Sequence, residues 1–385
     1  MVDRMDRSML ANWWWTIDRY LVTAFITLIV LGLVMSFAAS PAVAERIHAE
    51  TFFFIKRHAL FLLPTIAVLI GFSFLSPRGV RRVAFVALGV GILMLAATLF
   101  VGQEVKGARR WVTIAGISIQ SSEFVKPAFI IVAAWLFAER VRRPEIPGPQ
   151  LAGLLLAVVV GLLLAEPDVG QTLLSVASWI AVFYVAGVNL LWIFGAGGVG
   201  VGGIFLAYHI FAHVHARVDR FFAKPVQGPE RFASDNFQVQ TAMDSFTNGG
   251  WFGRGPGEGT LKHILPDAHT DFVIAVLGEE FGIIAVIALA LLFAFIVGRS
   301  LWFAFREDDP FIRLAVVGLA TQFGVQAGIN MAVNLHLMPA KGMTLPFISY
   351  GGSSMMSLAF GMGCLLALTR RRPQATRMVA PINGD

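Results

Sequence analysis

The sequence predicts an all-α, polytopic integral membrane protein of about ten transmembrane helices, with one large loop between the seventh and eighth, and three observations predict it. First, 57% of the 385 residues are apolar and only 14% are charged, with a mean hydropathy of +0.72. A water-facing surface needs more charge than that, so soluble folds are excluded. Second, apolar runs of about twenty residues recur along the chain, the length a helix needs to cross a ~30 Å hydrocarbon core. Third, the Lys and Arg residues gather at the ends of those runs. That is the pattern of membrane topology, and it excludes the nucleic-acid binding that a net charge of +6 would otherwise suggest.

Taken in order, the first run covers 21–39 behind Trp13, Trp14 and Trp15, rings suited to the water–lipid interface. It is too long for a cleaved signal and reads as an uncleaved first helix behind a short cytoplasmic tail. Further spans are expected at 58–76, 83–102, 119–138, 150–166, 170–186, 189–211, 271–298, 312–335 and 346–369. The fifth and sixth are short and separated only by the kink-prone Glu166-Pro167-Asp168-Val169-Gly170. No repeat or second domain is visible, so 1–385 reads as a single membrane domain containing the 212–270 loop. The lone cysteine, Cys364, lies in an apolar run and excludes an intramolecular disulfide.

Orientation follows from the short connections. Arg4, Arg7, Arg19, Arg78, Arg81, Arg82, Arg140, Arg142, Arg143, Arg299, Arg306, Arg313 and Arg370–Arg372 fall on one side, which the positive-inside rule makes cytoplasmic together with both termini. The 212–270 loop is then extracytoplasmic. Lys56, Arg57, Lys106, Arg109, Arg110 and Lys341 stand on that disfavoured side and need a reason to be there.

Asp271 sits where the polar loop becomes the eighth apolar helix, after Pro266-Asp267-Ala268-His269-Thr270. A helix cap is the plain explanation for a carboxylate there. Glu279 and Glu280, roughly 12 Å deeper at 1.5 Å per residue, argue for more, since ionisable groups in lipid cost several kcal/mol. They predict that this helix borders a hydrated cavity. Glu123 and Lys126, at i and i+3 of the fourth span, suit an intrahelical ion pair or a lysine facing another carboxylate or an anionic ligand. Arg109 and Arg110 form an outward cation pair able to grip pyrophosphate in bidentate fashion. The stretch from Leu337 to Ser354 places two prolines, several glycines, Lys341, Ser349 and Ser353 at the mouth of the tenth span, where breakers are tolerated if backbone lines a cavity. His209, His213, His215, His263 and His269 match no zinc spacing, so no metal residues are assigned.

In these motifs (GARRW with SSEFVK, EPDVGQT, NGGWFGRGPGEGTLKHILPDAHTDFVIAVLGEEFG and MPAKGMTLPFISYGGSS) the chain resembles the SEDS family of shape, elongation, division and sporulation proteins, which includes FtsW and RodA. The resemblance spans nearly the whole chain, and the last motif is more similar to the division branch. It implies an enzyme of the inner membrane, at the division septum, that polymerises lipid II into glycan strands. It further implies that Asp271 matches the family's essential aspartate and Lys126 the lysine near it. Arg109, Arg110 and Trp111 match the outer-loop motif of the lipid II site. Lys341, Ser349 and Ser353 join them as substrate-binding candidates, with Glu123, Asp168, His269, Glu279 and Glu280 in support. A class B penicillin-binding transpeptidase and other division-complex membrane proteins are the implied partners.

Such a transfer turns an α-linked donor into a β-1,4 bond and so inverts the anomeric carbon. One base must take the acceptor proton and positive charge must meet the leaving pyrophosphate. Asp271 is the expected base, with Arg109, Arg110, Lys126 and Lys341 as leaving-group stabilisers. A divalent cation, Mg or Mn, is a candidate helper; no organic cofactor is expected. A lipid II flippase is the main rival, and a structural scaffold a weaker one. The flippase predicts ionisable residues spread through the bilayer, whereas here they concentrate on one side.

Overall fold

The computed structural model describes residues 8–105, 108–114, 117–188, 235–265, 267–339 and 342–371, and within 189–234 only positions 195, 198, 202, 203, 205, 206, 208–210, 215 and 219. Among the described residues, six helices are long and apolar enough to cross a membrane. They are α2 (Arg19–Arg46), α3 (Phe53–Ser73), α4 (Pro77–Val101), α6 (Gly148–Ala165), α9 (Val273–Ala304) and α10 (Pro310–Asn334). Three further helices stand where spans were expected: α5 (Ser121–Arg142), α7 (Val169–Val185) and α11 (Gly352–Leu368). The seventh expected span, 189–211, lies outside the described residues apart from isolated positions.

Side-chain caps fix several helix starts. Asp18 accepts from the amides of Tyr20 and Leu21, Ser76 from Gly79, Asp168 from Gln171, and Asp309 from Phe311 and Ile312. Each satisfies backbone donors that the first turn leaves without a helical partner. The expected N-terminal tail is corrected to a helix, α1 (Met9–Thr16), capped by Ser8. Trp13 anchors it by donating to Ser73 Oγ at 2.8 Å and stacking on Phe74 at 5.1 Å.

The bundle is helical as expected, and one connection adds local β structure that the sequence reading did not anticipate. Between α4 and α5 lies a three-stranded antiparallel sheet, β1 (Gln103–Val105), β2 (Ala108–Ile114) and β3 (Ile117–Gln120), in the order β1-β2-β3. Trp111 pairs with Gln120, and Val112 with Ile119. Because β3 runs straight into α5, the sheet sets the height at which Glu123 and Lys126 enter the bundle.

α5 is the central helix, buried on nearly all of its faces. It packs against α4, α6, α7, α10 and α11. Small residues permit this approach: a Cβ on Gly318 of α10 would collide with Ile130 and come within 2.7 Å of Val182. Close packing through small residues is the usual way membrane helices associate without a hydrophobic driving force. The outward apolar side chains of α3 and α4, among them Leu60, Leu63, Phe85, Leu93 and Phe100, stay exposed as a lipid-facing surface.

The two ends of the bundle differ. One end joins the termini: Arg299 pairs with Asp18 at 2.8 Å, Arg142 with Asp309 at 2.7 Å, and the Arg371 amide reaches Thr16 O at 2.9 Å. The other end gathers the sheet, the α6–α7 turn, the start of α9 and the loop before α11. Nearly all the expected site residues lie there.

Candidate functional site

Residues 267–272 fold into a tight turn closed on the Asp267 carbonyl, which accepts from the amides of Thr270 (3.0 Å) and Phe272 (3.3 Å). Asp267 holds φ +56°, a left-handed conformation that Asp tolerates better than most side chains. Helix α9 opens only at Val273, with Phe272 at the N-cap position and no side-chain cap from it. Asp271 therefore lies one residue before the N-cap position.

Helix α10 holds this turn from behind. Asn330 Nδ2 donates to Asp271 O at 2.9 Å and to Met343 O at 2.7 Å, while Asn334 Nδ2 donates to Asp271 O at 3.0 Å. The loop before α11 holds it from the side: the Tyr350 amide donates to His269 O at 3.0 Å and Ser349 Oγ to Thr270 O. Ser349 Oγ also accepts from the Leu345 amide at 2.8 Å. Gly342 has φ +62° and passes close to the carboxylate: a Cβ on it would sit 3.6 Å from Asp271 Oδ2. The main chain of Asp271 is thus fixed on two sides while its half-buried side chain faces the Gly342 loop.

The same network reaches α5. Lys126 Nζ pairs with Glu123 Oε2 at 2.9 Å and contacts Gln326 Oε1 at 3.4 Å. Gln326 Nε2 then donates to Thr344 O at 3.1 Å, and the Thr344 hydroxyl meets that of Ser354 at 2.8 Å. Glu123 also accepts from Gln171 Nε2 at 2.8 Å, and its carbonyl from Ser357 at 2.6 Å. Both charged side chains are almost fully buried, at 3% and 6% exposure. The intrahelical pair is observed, and it is wired through α10 to the loop facing Asp271.

Arg110 departs from expectation. Its guanidinium clamps the α6–α7 turn, with Nε donating to Glu166 O at 3.2 Å, Nη2 to Pro167 O, and Asp168 Oδ2 at 3.9 Å. Main-chain carbonyls and Asp168 thus occupy the fork expected to grip pyrophosphate. Arg109, exposed, and Trp111, half-buried, project from the other face of β2 by the period of two. Ser353 is half-buried in the first turn of α11, and Lys341 lies outside the described residues.

Burial first, and the neighbouring Asp168 second, raise the Glu166 carboxyl to about 8 against the opposing pull of Arg110. Asp168 is raised as well, by burial first, against Arg110. Burial holds His269 down at about 4, so its imidazole is neutral. The folded protein keeps a proton on Glu166 that the unfolded chain releases near 4.5. Folding stability therefore falls as pH rises from about 4.5 toward 8 and levels off above. A Glu166→Gln variant should gain a thermal-stability advantage over wild type that grows across that window and is then constant. A melting series from pH 5 to 9 checks this, and a flat difference would contradict it.

Glu279 and Glu280 have the partners that two carboxylates at this depth need, and the partners come from the loop before the helix. Glu279 accepts from the Thr260 amide (3.0 Å) and hydroxyl (3.2 Å) and from the Leu261 amide (3.1 Å). Glu280 accepts from the Gly257 amide (2.9 Å) and Lys262 Nζ (2.6 Å). The loop tail 250–263 folds back onto α9 and satisfies both carboxylates. At Gly282, φ +81°, the helix breaks so that the amides of Ile283 and Ile284 can reach Gly250 O and Trp251 O. A Cβ at Gly282 would collide with the Trp251 carbonyl. Glu280→Leu strands the Lys262 ammonium and should release this loop. Limited proteolysis should then cut within 250–263 well before wild type, and equal resistance would refute the strap.

Sequence reasoning missed α8 (Asp235–Gly249) inside the long loop, the Lys262–Glu280 pair, and the polar stripe Gln322, Gln326, Asn330 and Asn334 on α10. The stripe's four-residue spacing in an apolar span was the available signal. Among the described residues, no three His, Cys, Asp or Glu side chains converge as a metal cage.

Residues 18–374 match the cell cycle protein family profile named for FtsW, RodA and SpoVE. The chain is 46% identical over 373 residues to a Caulobacter vibrioides protein named "Probable peptidoglycan glycosyltransferase FtsW", covering 97% of this chain and 94% of that one. A protein of the same name from Nitrosomonas europaea is 36% identical, covering 91% and 92%. Among solved structures, a chain from work described as "Structural coordination of polymerization and crosslinking by a peptidoglycan synthase complex" superposes with a TM-score of 0.74 at 27% identity, covering 92% and 97%. The rod shape determining protein RodA of Thermus thermophilus gives 0.65 at 26%, with the same coverage.

Proposed function

The chain belongs to the FtsW/RodA/SpoVE family of cell cycle proteins, and from that membership we propose that it is a multi-pass membrane peptidoglycan glycosyltransferase that polymerises lipid II into glycan strands during cell division. The observation that carries the mechanism is the carboxylate of Asp271, on a main chain fixed by Asn330, Asn334 and Ser349, facing the loop that Gln326 ties to the buried Lys126–Glu123 pair. Asp271 accepts the proton of the acceptor 4-hydroxyl as that oxygen attacks the donor's anomeric carbon. The bond from this carbon to the phosphate oxygen breaks with inversion, and undecaprenyl pyrophosphate leaves with the electron pair. Lys126 supplies fixed positive charge beneath the site, and Arg109 and Lys341 are the cations for the pyrophosphate. A divalent cation would rest chiefly on the substrate phosphates, as Mg does where protein ligands are few.

The Arg-rich end that holds the termini is proposed to be cytoplasmic and the site end extracytoplasmic. Glu258→Cys in a Cys364→Ser background should then react with an impermeant thiol reagent on intact cells. Reaction only after permeabilisation would reverse the orientation. The proposed setting is the division septum, with a class B penicillin-binding transpeptidase and other division proteins as partners. The flippase reading is weaker because the polar stripe of α10 stops at Gln322, and Gly318 is sealed by Ile130 and Val182. Synthesis of glycan from purified lipid II separates the two readings.

A further inference from the structure

His58 is a buried polar group that the proposed reaction does not use. It lies in α3, one turn below Phe54, with no exposed surface, and neither ring nitrogen has a hydrogen-bond partner. His269 Nδ1 is buried and unpartnered as well. Both imidazoles lie against the phenol ring of Tyr350, His58 at 6.0 Å and His269 at 5.5 Å between centroids. Phe54 closes the cluster at 4.5 Å from His269 and 5.4 Å from Tyr350. Tyr350 donates its amide to His269 O, and His269 is two residues from Asp271.

A buried donor or acceptor left unsatisfied is costly, because it gives up its hydrogen bonds to water and gains none in return. Native proteins commonly meet such groups with an internal water making two to four hydrogen bonds. Three unsatisfied nitrogens around one phenol form a polar site of that kind within an otherwise packed wall. We propose that this cluster is a buried water site, and that His58 is a positioning residue holding the His269–Asp271 turn through that water and Tyr350. α3 would thereby set the base on its remaining side, as α10 and the pre-α11 loop do on theirs.

The assay arm rests on the polymerase reading; the structural arm does not. The full chain, purified in lipid nanodiscs, is compared with His58→Gln and His58→Leu on lipid II. Gln retains a donor and an acceptor, whereas Leu fills similar space without either. The expected result is that Leu lowers kcat at least about tenfold with KM and melting temperature within error, while Gln stays within about threefold of wild type. Wild-type turnover in a folded His58→Leu protein overturns the proposal, as does an equal loss in both variants that follows their melting temperatures. Should His58→Leu not fold, a high-resolution wild-type structure decides. Ordered water bonded to a His58 nitrogen supports the site, and a dry imidazole rejects it. An Asp271→Asn protein assayed in parallel reports on the polymerase reading separately.

Discussion

Asp271→Asn should slow glycan-strand synthesis by at least about 100-fold, the low end for loss of a general base, while leaving insertion and folding intact. The substitution removes the proposed base while leaving the main-chain contacts of this turn in place. Helix α9 starts at Val273, and both contacts from α10 go to the Asp271 carbonyl, which Asn retains. Asn keeps the size of Asp but cannot accept the hydroxyl proton at useful strength. Melting temperature and lipid II binding should stay near wild type while turnover collapses. A folded Asn variant with near-normal turnover would move attention to Asp267 or Glu258 on the same loop.

The second large effect is expected at Lys126. Breaking a buried ion pair from one side leaves an uncompensated charge and costs about 3–5 kcal/mol. Lys126→Met strands Glu123, which keeps Gln171 as its remaining side-chain donor. The single variant should show a strongly lowered melting temperature and poor yield. Adding Glu123→Gln removes the stranded charge and should restore most of the stability. Activity should not return with it, because the positive charge beneath the site is still missing. A double variant that regains both would reduce the pair to a packing device.

Much of this was legible in the chain, for identifiable reasons. Span positions follow from apolar length, which the bilayer imposes directly. Asp271 stood out at the junction of a polar loop and an apolar helix, and Glu123 and Lys126 as an i, i+3 pair at the start of an apolar span. The sheet at Gln103–Gln120 was hidden because a short connection carrying Arg109 and Arg110 between two spans reads as an outer loop. Arg110 looked like a ligand grip, since nothing in the sequence brings the Glu166 and Pro167 carbonyls to it. Glu279 and Glu280 were recognised as needing partners, but those partners are amides, a hydroxyl and the Lys262 ammonium of a loop some twenty residues upstream, and a fold-back of that kind leaves no periodic signal. The stripe from Gln322 to Asn334 was readable as a four-residue repeat and went unused because amides carry no charge.

The central claim is that this chain itself joins lipid II units with Asp271 as base. The direct measurement is incubation of the purified protein, alone and with its cognate transpeptidase, with purified lipid II, followed by separation of products by length. Long β-1,4-linked strands from the wild type, with none from Asp271→Asn under either condition, are the predicted result. No strands from well-folded wild-type protein in both conditions, with lipid II crossing the bilayer of proteoliposomes instead, would contradict the account.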